Sequence, residues 1–392
     1  MIAGLAVVGT AVPAAALAAT TVRTTAVSRG AAALARIDSQ ALAQAIGGLP
    51  SSQETAALVT VTDRDGHWAG ASGVADLAAG APARAGDEFR IGSISKVFVA
   101  TVVLQLAAEH RISLDQPVQR YLPGLLRPGD PPVTITELLN HTSGLGPGNG
   151  VANNGSPEWF LQHRLDTYTT SQLIGSVLQQ PLIFAPGTRQ QYNGVNYIVL
   201  GMLIQRVTGH SYAEEIQRRI LQPLGMQHTY VPTTNPAMPS PYLHGYYRPG
   251  PNANTPSTDI SEQNPTLYGA QGAMISTAAD LDRFITALFR GRLLPPAQLD
   301  DMFTIPAVAS GPFRYGMGLM AYTFPNGLTV WGHTGETTGY VSGVFATRDG
   351  GRAVSFAFTP VEPADGNQVM AAQLRIVQAA YDSPTPGVSG GA

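Results

Sequence analysis

Cysteine is absent from all 392 residues, which excludes disulfides, thiol nucleophiles and thiolate metal sites. Charge is scarce: Asp, Glu, Lys and Arg make up 12% of the chain and the formal net charge is −3. There is no basic stripe for nucleic acid and no polybasic patch for a membrane surface. The eight histidines are scattered without a His-x-x-x-His pair, so neither a metal nor a cofactor is expected. Lysine is the rarest of the cations: Lys96 stands alone, and every other basic side chain of its class is arginine. A chain that uses arginine wherever a plain positive charge will do needs an amine at 96 for another reason. An ammonium loses its proton when desolvated and a guanidinium does not, so lysine serves as a general base where arginine cannot.

Lys96 lies in Phe89-Arg90-Ile91-Gly92-Ser93-Ile94-Ser95-Lys96-Val97-Phe98-Val99-Ala100. The run from Val97 to Ala108 is apolar almost all round, the pattern of a buried helix with Lys96 on its first turn. Positions three apart share a helix face, which sets the Ser93 hydroxyl beside the amine, a nucleophile next to a base. Burial and the positive end of the helix dipole both lower the amine's pKa. Ser95, one residue from the lysine, points elsewhere around the helix.

Residues Ile2 to Ala19 are nearly all Ala, Val, Leu and Gly, and Ala16-Leu17-Ala18 has the small-x-small form of a signal-peptidase site. No Lys or Arg precedes the run, so a trimmed start or a membrane anchor are the two ways to read it. Pro13 and the shortness favour a cleaved signal and a secreted protein. The expected organisation is a signal and flexible lead-in over 1–36, a catalytic domain over 37–382, and a disordered Pro/Gly/Ser tail over 383–392. Within the catalytic domain, 37–113 and 314–382 form an α/β part and 114–313 a helical part.

A helix is expected over 39–46, a hairpin of strands over 56–62 and 67–74, and helices over 134–139, 171–179, 197–207, 211–220 and 278–289. Long Pro/Gly/Asn-rich loops run from Gly144 to Pro157 and from Pro232 to Thr266. Strands return over 328–331, 340–347 and 353–359, and Tyr315 to Met320 reads as a further strand. A last helix places Met370, Leu374, Val377 and Tyr381 on one face. The class is therefore α+β: an antiparallel sheet built from both chain ends, flanked by helices, with a large helical insertion.

Three more clusters carry chemistry. Tyr192-Asn193-Gly194 lies in a turn before a helix. Trp331-Gly332-His333-Thr334-Gly335 lies on a strand edge before a Gly-rich turn, and Asn140-His141-Thr142-Ser143-Gly144-Leu145 ends a helix, with His141 a loop-bracing hydrogen bonder. In this order, Ser93-x-x-Lys96, the tyrosine turn and His333-Thr334-Gly335 resemble the serine β-lactamase and penicillin-binding protein superfamily. The resemblance is closest to secreted D-alanyl-D-alanine carboxypeptidases and class C-like β-lactamases, and covers about Ile37 to Tyr381. It implies Ser93 as acyl acceptor, Lys96 as its base and Tyr192 as the phenol that shuttles the proton. It implies His333, Thr334 and Gly335 as the motif lining the cleft, and an oxyanion hole from the Ser93 N–H and that of residue 336 or 337. Asn193, Thr334, Gly335, Glu336 and Thr337 would meet the substrate. The family's Tyr-x-Asn is Tyr192-Asn193-Gly194 here, so the amide that contacts substrate and lysine is missing or displaced by one residue. Glu336 and Met320 stand where a carboxylate-binding hydroxyl and arginine are expected.

These readings converge on a secreted serine hydrolase of carboxypeptidase type that takes a small peptide or β-lactam. Class C-like β-lactamase, esterase and acyl-transferring peptide cyclase are the enzymatic alternatives, and a penicillin-binding sensor is the non-enzymatic one. No nucleic-acid partner, and no membrane partner beyond the signal segment, is expected. The lack of Gly-x-Ser-x-Gly excludes an α/β-hydrolase.

Overall fold

The computed structural model describes residues 34, 36–148, 157–250 and 255–381. The expected signal, most of the lead-in and the tail lie outside these residues. In chain order the elements that position the site are α1 (Ser39–Ala45), β1 (Glu54–Asp63), β2 (His67–Asp76), α2 (Ser95–Ala108), α3 (Ile135–Leu139), α4 (Val195–Thr208), α5 (Ala278–Phe289), β3 (Arg314–Tyr315), β4 (Met320–Thr323), β5 (Thr329–Thr337), β6 (Tyr340–Thr347), β7 (Arg352–Glu362) and α6 (Gly366–Tyr381).

The sheet runs in the order β2-β1-β7-β6-β5-β4-β3, each neighbour antiparallel. The two chain ends meet at its centre, where β1 pairs with β7 in the register Leu58↔Ala357 and Thr60↔Ser355. Alternate residues feed two cores, as the two-residue period of a strand requires. Val59, Val61, Phe356, Phe358 and Phe345 face α1 and α6, while Leu58, Ala357 and Val344 face the side of α2, α4 and α5. Helix α2 is buried on every side up to Leu104, and its Phe98 stacks on Phe284 of α5 with ring centroids 3.7 Å apart. Thr134 and Glu137 close a capping box on α3, which fixes the start of the loop carrying His141.

The structure revises several expectations. β5 extends through Glu336 to Thr337, so His333-Thr334-Gly335 lies inside a strand whose turn comes only at 338–339. Residues 315–320 are not one strand: the chain bends at Gly316 to Gly318, and Met320 turns into the core beneath α1 and α6. Gly318 has φ 85° and packs on Ala100, which makes that bend a glycine position. The helix expected over 211–220 spans Tyr212–Ile216 and then widens into a π-helical turn, Gln217–Leu221. Helix α6 buries Ala372, Gln373, Ile376, Val377, Ala380 and Tyr381 and leaves Met370 exposed, a face rotated from the expected one. Short helices at Val118–Tyr121, Pro157–His163 and Pro296–Met302 were not expected, each adjoining a proline that reads as a breaker but suits a helix start. Strands Tyr246–Tyr247 and Thr258–Asp259 pair within the expected long loop.

One buried carboxyl ties α5 to the central strands. Asp282 accepts hydrogen bonds from Thr62 Oγ1 of β1 at 2.9 Å and from Ser355 Oγ of β7 at 2.6 Å. Burial pushes its pKa up to about 7, and the two hydroxyls oppose that rise. The unfolded chain sheds this proton near pH 4 and the folded chain only near 7, so this carboxyl's contribution to stability falls as pH rises across that window, at about 1.4 kcal/mol per unit. Asp282→Asn abolishes the titration. Urea unfolding at pH 5 and pH 8 should therefore find the variant gaining on the wild type by a few kcal/mol at the higher pH; a difference that does not change with pH assigns Asp282 a purely packing role.

Candidate active site

Gly92–Ile94 form a 3₁₀ turn leading into α2. From Asp87 to Leu104, Ser93 alone is not fully buried. Ser95 is spent on the backbone: its Oγ donates to Gly92 O at 2.7 Å and accepts from Met274 N at 3.2 Å. Two glycines press this turn against β5. Gly92 has φ 48°, and a Cβ there would lie 2.5 Å from Glu336 N; a Cβ on Gly335 would lie 1.9 Å from Ile91 O. Any side chain at either position would drive the strand away from Ser93. The Glu336 backbone is thereby held beside the serine turn.

Lys96 is 1% exposed. Its Nζ donates to Ser93 Oγ at 2.8 Å and to the Gln271 carbonyl at 2.7 Å. Burial lowers its pKa to about 7. The Tyr192 and Tyr197 rings wall the amine, with centroids 5.1 and 5.8 Å away. The Tyr192 hydroxyl is buried without a hydrogen bond of normal geometry. Burial and then Tyr315 push its pKa far up, and the nearby Ser93 hydroxyl offsets part of that rise.

His333 joins the same cluster, its ring 5.8 Å from that of Tyr192. Nδ1 bonds the Thr334 carbonyl, which requires the proton on Nδ1 and leaves a buried, unpartnered lone pair on Nε2. Burial first, and then the Lys96 charge, bring its pKa down to about 3, so the imidazole is neutral at ordinary pH. Thr334 and Glu336 lie on the opposite face of β5 from His333, Gly335 and Thr337. Thr334 is half-buried and Glu336 exposed, while the Thr337 hydroxyl is buried without a partner.

The structure takes Asn193 out of the cleft. Its Nδ2 donates to Leu145 O at 2.8 Å and Gly146 O at 3.0 Å, and its Oδ1 accepts from Val195 N at 3.0 Å. Both of its N–H donors brace the loop, and its oxygen accepts from the first residue of α4. His141 braces the same loop, accepting from Asn193 N at 3.2 Å and packing against Tyr192 and Tyr315.

Three site residues escaped the sequence reading. Tyr315 packs tilted against Tyr192 with ring centroids 5.0 Å apart, Gln190 pins β3 by bonding Tyr315 N and O, and Gln271 holds the lysine through its carbonyl. Tyr315 had a visible signal, an aromatic before a Gly-x-Gly bend. Gln190 and Gln271 had none, because their roles arise from contacts across 125 and 175 residues.

The arrangement is a poised hydroxyl, an amine able to become neutral, a buried phenol and a neutral imidazole, set against a glycine-lined strand edge. A family model described as β-lactamase matches residues 40–379. A D-stereospecific amidohydrolase from Streptomyces sp. superposes with a TM-score of 0.76 at 35% identity, over 88% of this chain and 98% of that one. Esterase EstB of Burkholderia gladioli is 32% identical over 282 residues, 64% of this chain and 70% of its own length. Penicillin-binding proteins of Bacillus subtilis (strain 168) also match, one at 28% identity over 282 residues, 68% of this chain and 60% of its own. The chain spans 52–70% of the length of the first three curated relatives it matches. With the sheet, the serine turn and the tyrosine and histidine motifs all in place along nearly the whole matched stretch, the chain belongs to the β-lactamase family.

Proposed function

We propose that the protein is a serine hydrolase that forms an acyl-enzyme on Ser93 and acts on amides, esters or extended peptides of D-residues in preference to free D-alanyl-D-alanine ends. One observation carries the chemistry: the sole lysine, with its pKa brought down to about 7, lies 2.8 Å from the serine hydroxyl. Neutral Lys96 takes the Ser93 proton as Oγ attacks the carbonyl carbon. The Ser93 and Glu336 backbone N–H groups are the donors for the oxyanion that develops. Tyr192 relays the proton to the leaving amine or alcohol, and the same groups in reverse activate water to release the acid. His333, uncharged, fills the position beside Tyr192 without adding a second cation.

The preference for a blocked end rests on Glu336. A carboxylate on this residue, whose backbone lies beside the serine turn, would repel a terminal carboxylate that came within 4 Å by roughly 4 kcal/mol for an effective dielectric of 20. Met320, in the far core, offers no opposing charge. The Streptomyces relative, a D-stereospecific amidohydrolase, supports the same substrate class. Export belongs to this proposal too, on the strength of the apolar segment Ile2 to Ala19.

Intact-mass analysis after an activated D-residue ester should place the acyl group on the Ser93 peptide and show none in Ser93→Ala; a label that survives the substitution refutes the assignment. An acyl-D-Ala-D-Ala amide should turn over faster than the corresponding acid, with Glu336→Gln narrowing the gap. A preference for the acid that Glu336→Gln leaves untouched would make the enzyme a carboxypeptidase.

The pH profile has a definite sign. Only the neutral amine accepts the serine proton, so kcat/KM should climb about tenfold per unit below pH 7 and level off above it. Lys96→Arg keeps the charge but cannot lose it, and should fall roughly 10²–10⁴-fold, as far as Lys96→Ala. Recovery of activity in the arginine variant would reduce Lys96 to an electrostatic group.

A further inference from the structure

Gly194 caps the start of α4 with φ −68° and ψ −31°, a conformation open to any L-residue. The backbone therefore does not require glycine there; its surroundings do. A Cβ at 194 would lie 1.5 Å from Oε1 and 2.7 Å from Cδ of Gln271. The carboxamide of Gln271 already occupies the volume that a side chain at 194 would fill.

Gln271 ends the 3₁₀ turn Gly269–Gln271, remote in sequence from the tyrosine turn. Its backbone carbonyl is committed to Lys96 Nζ at 2.7 Å. Among the described residues its side-chain amide makes no hydrogen bond, although it is only partly exposed and lies against Gly194 in the Tyr192 turn. A carboxamide packed this way has lost rotamer freedom without gaining a protein partner. Asn193, the nearest amide in sequence, is fully used by the loop.

We infer that Gln271 is a substrate-binding residue: its side-chain amide, delivered from a different segment, takes the place of the amide missing at 194 and donates from Nε2 to an amide carbonyl on the acyl side of the scissile bond. The substrates it favours are accordingly acyl groups that carry their own amide, such as N-acylated or peptidyl D-residues. Simple acyl esters, which lack that carbonyl, gain nothing from it. Truncating Gln271 to alanine keeps the carbonyl that holds Lys96, so the two roles of this residue separate cleanly.

This inference rests on the acyl-enzyme reading above, and the test keeps the two apart. Hydrolysis of N-acetyl-D-phenylalanine p-nitrophenyl ester is compared with that of p-nitrophenyl acetate on the same enzyme preparation. The ratio of the two kcat/KM values does not depend on the fraction of enzyme that is folded. Gln271→Ala should lower this ratio about tenfold, the cost of one hydrogen bond. Gly194→Asn alone should also lower it, because the new side chain meets the Gln271 carboxamide. The double variant, Gln271→Ala with Gly194→Asn, should recover most of the wild-type ratio, a coupling that independent sites do not show. An unchanged ratio in Gln271→Ala, or a double variant no better than that single one, overturns the inference while leaving Ser93 acylation standing. Failure of the D-phenylalanine ester to acylate wild-type Ser93 overturns both readings.

Discussion

The Lys96 amine is enclosed with two oxygen acceptors, two aromatic walls and, among the described residues, no carboxylate in ion-pair contact. An isolated cation so buried is expensive, and a group that can shed its proton relieves the cost by becoming neutral. The rest of the site is consistent with that constraint. His333 and His141 are held uncharged by burial and by the lysine's own field, and Tyr192 is held as the phenol. Each of these groups is thus driven towards its neutral form by burial, and Ser93, beside them, is the residue that is not fully buried.

The acyl-enzyme proposed above needs backbone donors close to Ser93, and the contact between the serine turn and β5 holds the Glu336 backbone there. Gly92 and Gly335 bring two backbones nearer than any side chain allows. Ser342 Oγ adds a bond to Ile91 O at 3.2 Å from the neighbouring strand. The distance from strand to nucleophile is therefore set by backbone contact, which has far less play than side-chain packing. On the reading proposed above, substrate selection would fall to more adaptable pieces around it: an exposed Glu336, Tyr315 tilted against Tyr192 and the Gln271 carboxamide.

Much of this was legible in sequence because it was local. A sole lysine three residues after a serine, before an all-apolar run, specifies both the helix and the pair. The alternation in 56–62, and the Arg348-Asp349-Gly350-Gly351 turn joining 340–347 to 353–359, placed most of the central sheet. What stayed hidden depended on distant partners. β5 runs on past Trp331, where the expected strand ended, because β6 pairs with it to Thr337. Met320 lies beyond a bend enforced by the packing of Gly318 on Ala100. Asn193 looked like the displaced amide because it was adjacent in sequence, whereas the residue that occupies the space comes from beyond α4.

The pairing of β1 with β7 has a consequence for how the chain reaches this structure. Strands separated by some 300 residues of intervening chain meet at the centre of the sheet. β1 is buried on both faces and has Val, Leu and Ala at its core positions, so until β7 has been synthesised it lacks one of its two strand partners and has the hairpin with β2 and the contact with α5 to shelter it. Loop closure on that scale comes late in folding, and it leaves an apolar strand edge exposed to other chains in the interval. The serine turn cannot be seated before then, since β5 and β6 also belong to the last part of the chain. Ser93 and Lys96, three residues apart, acquire their surroundings only when the C-terminal strands arrive.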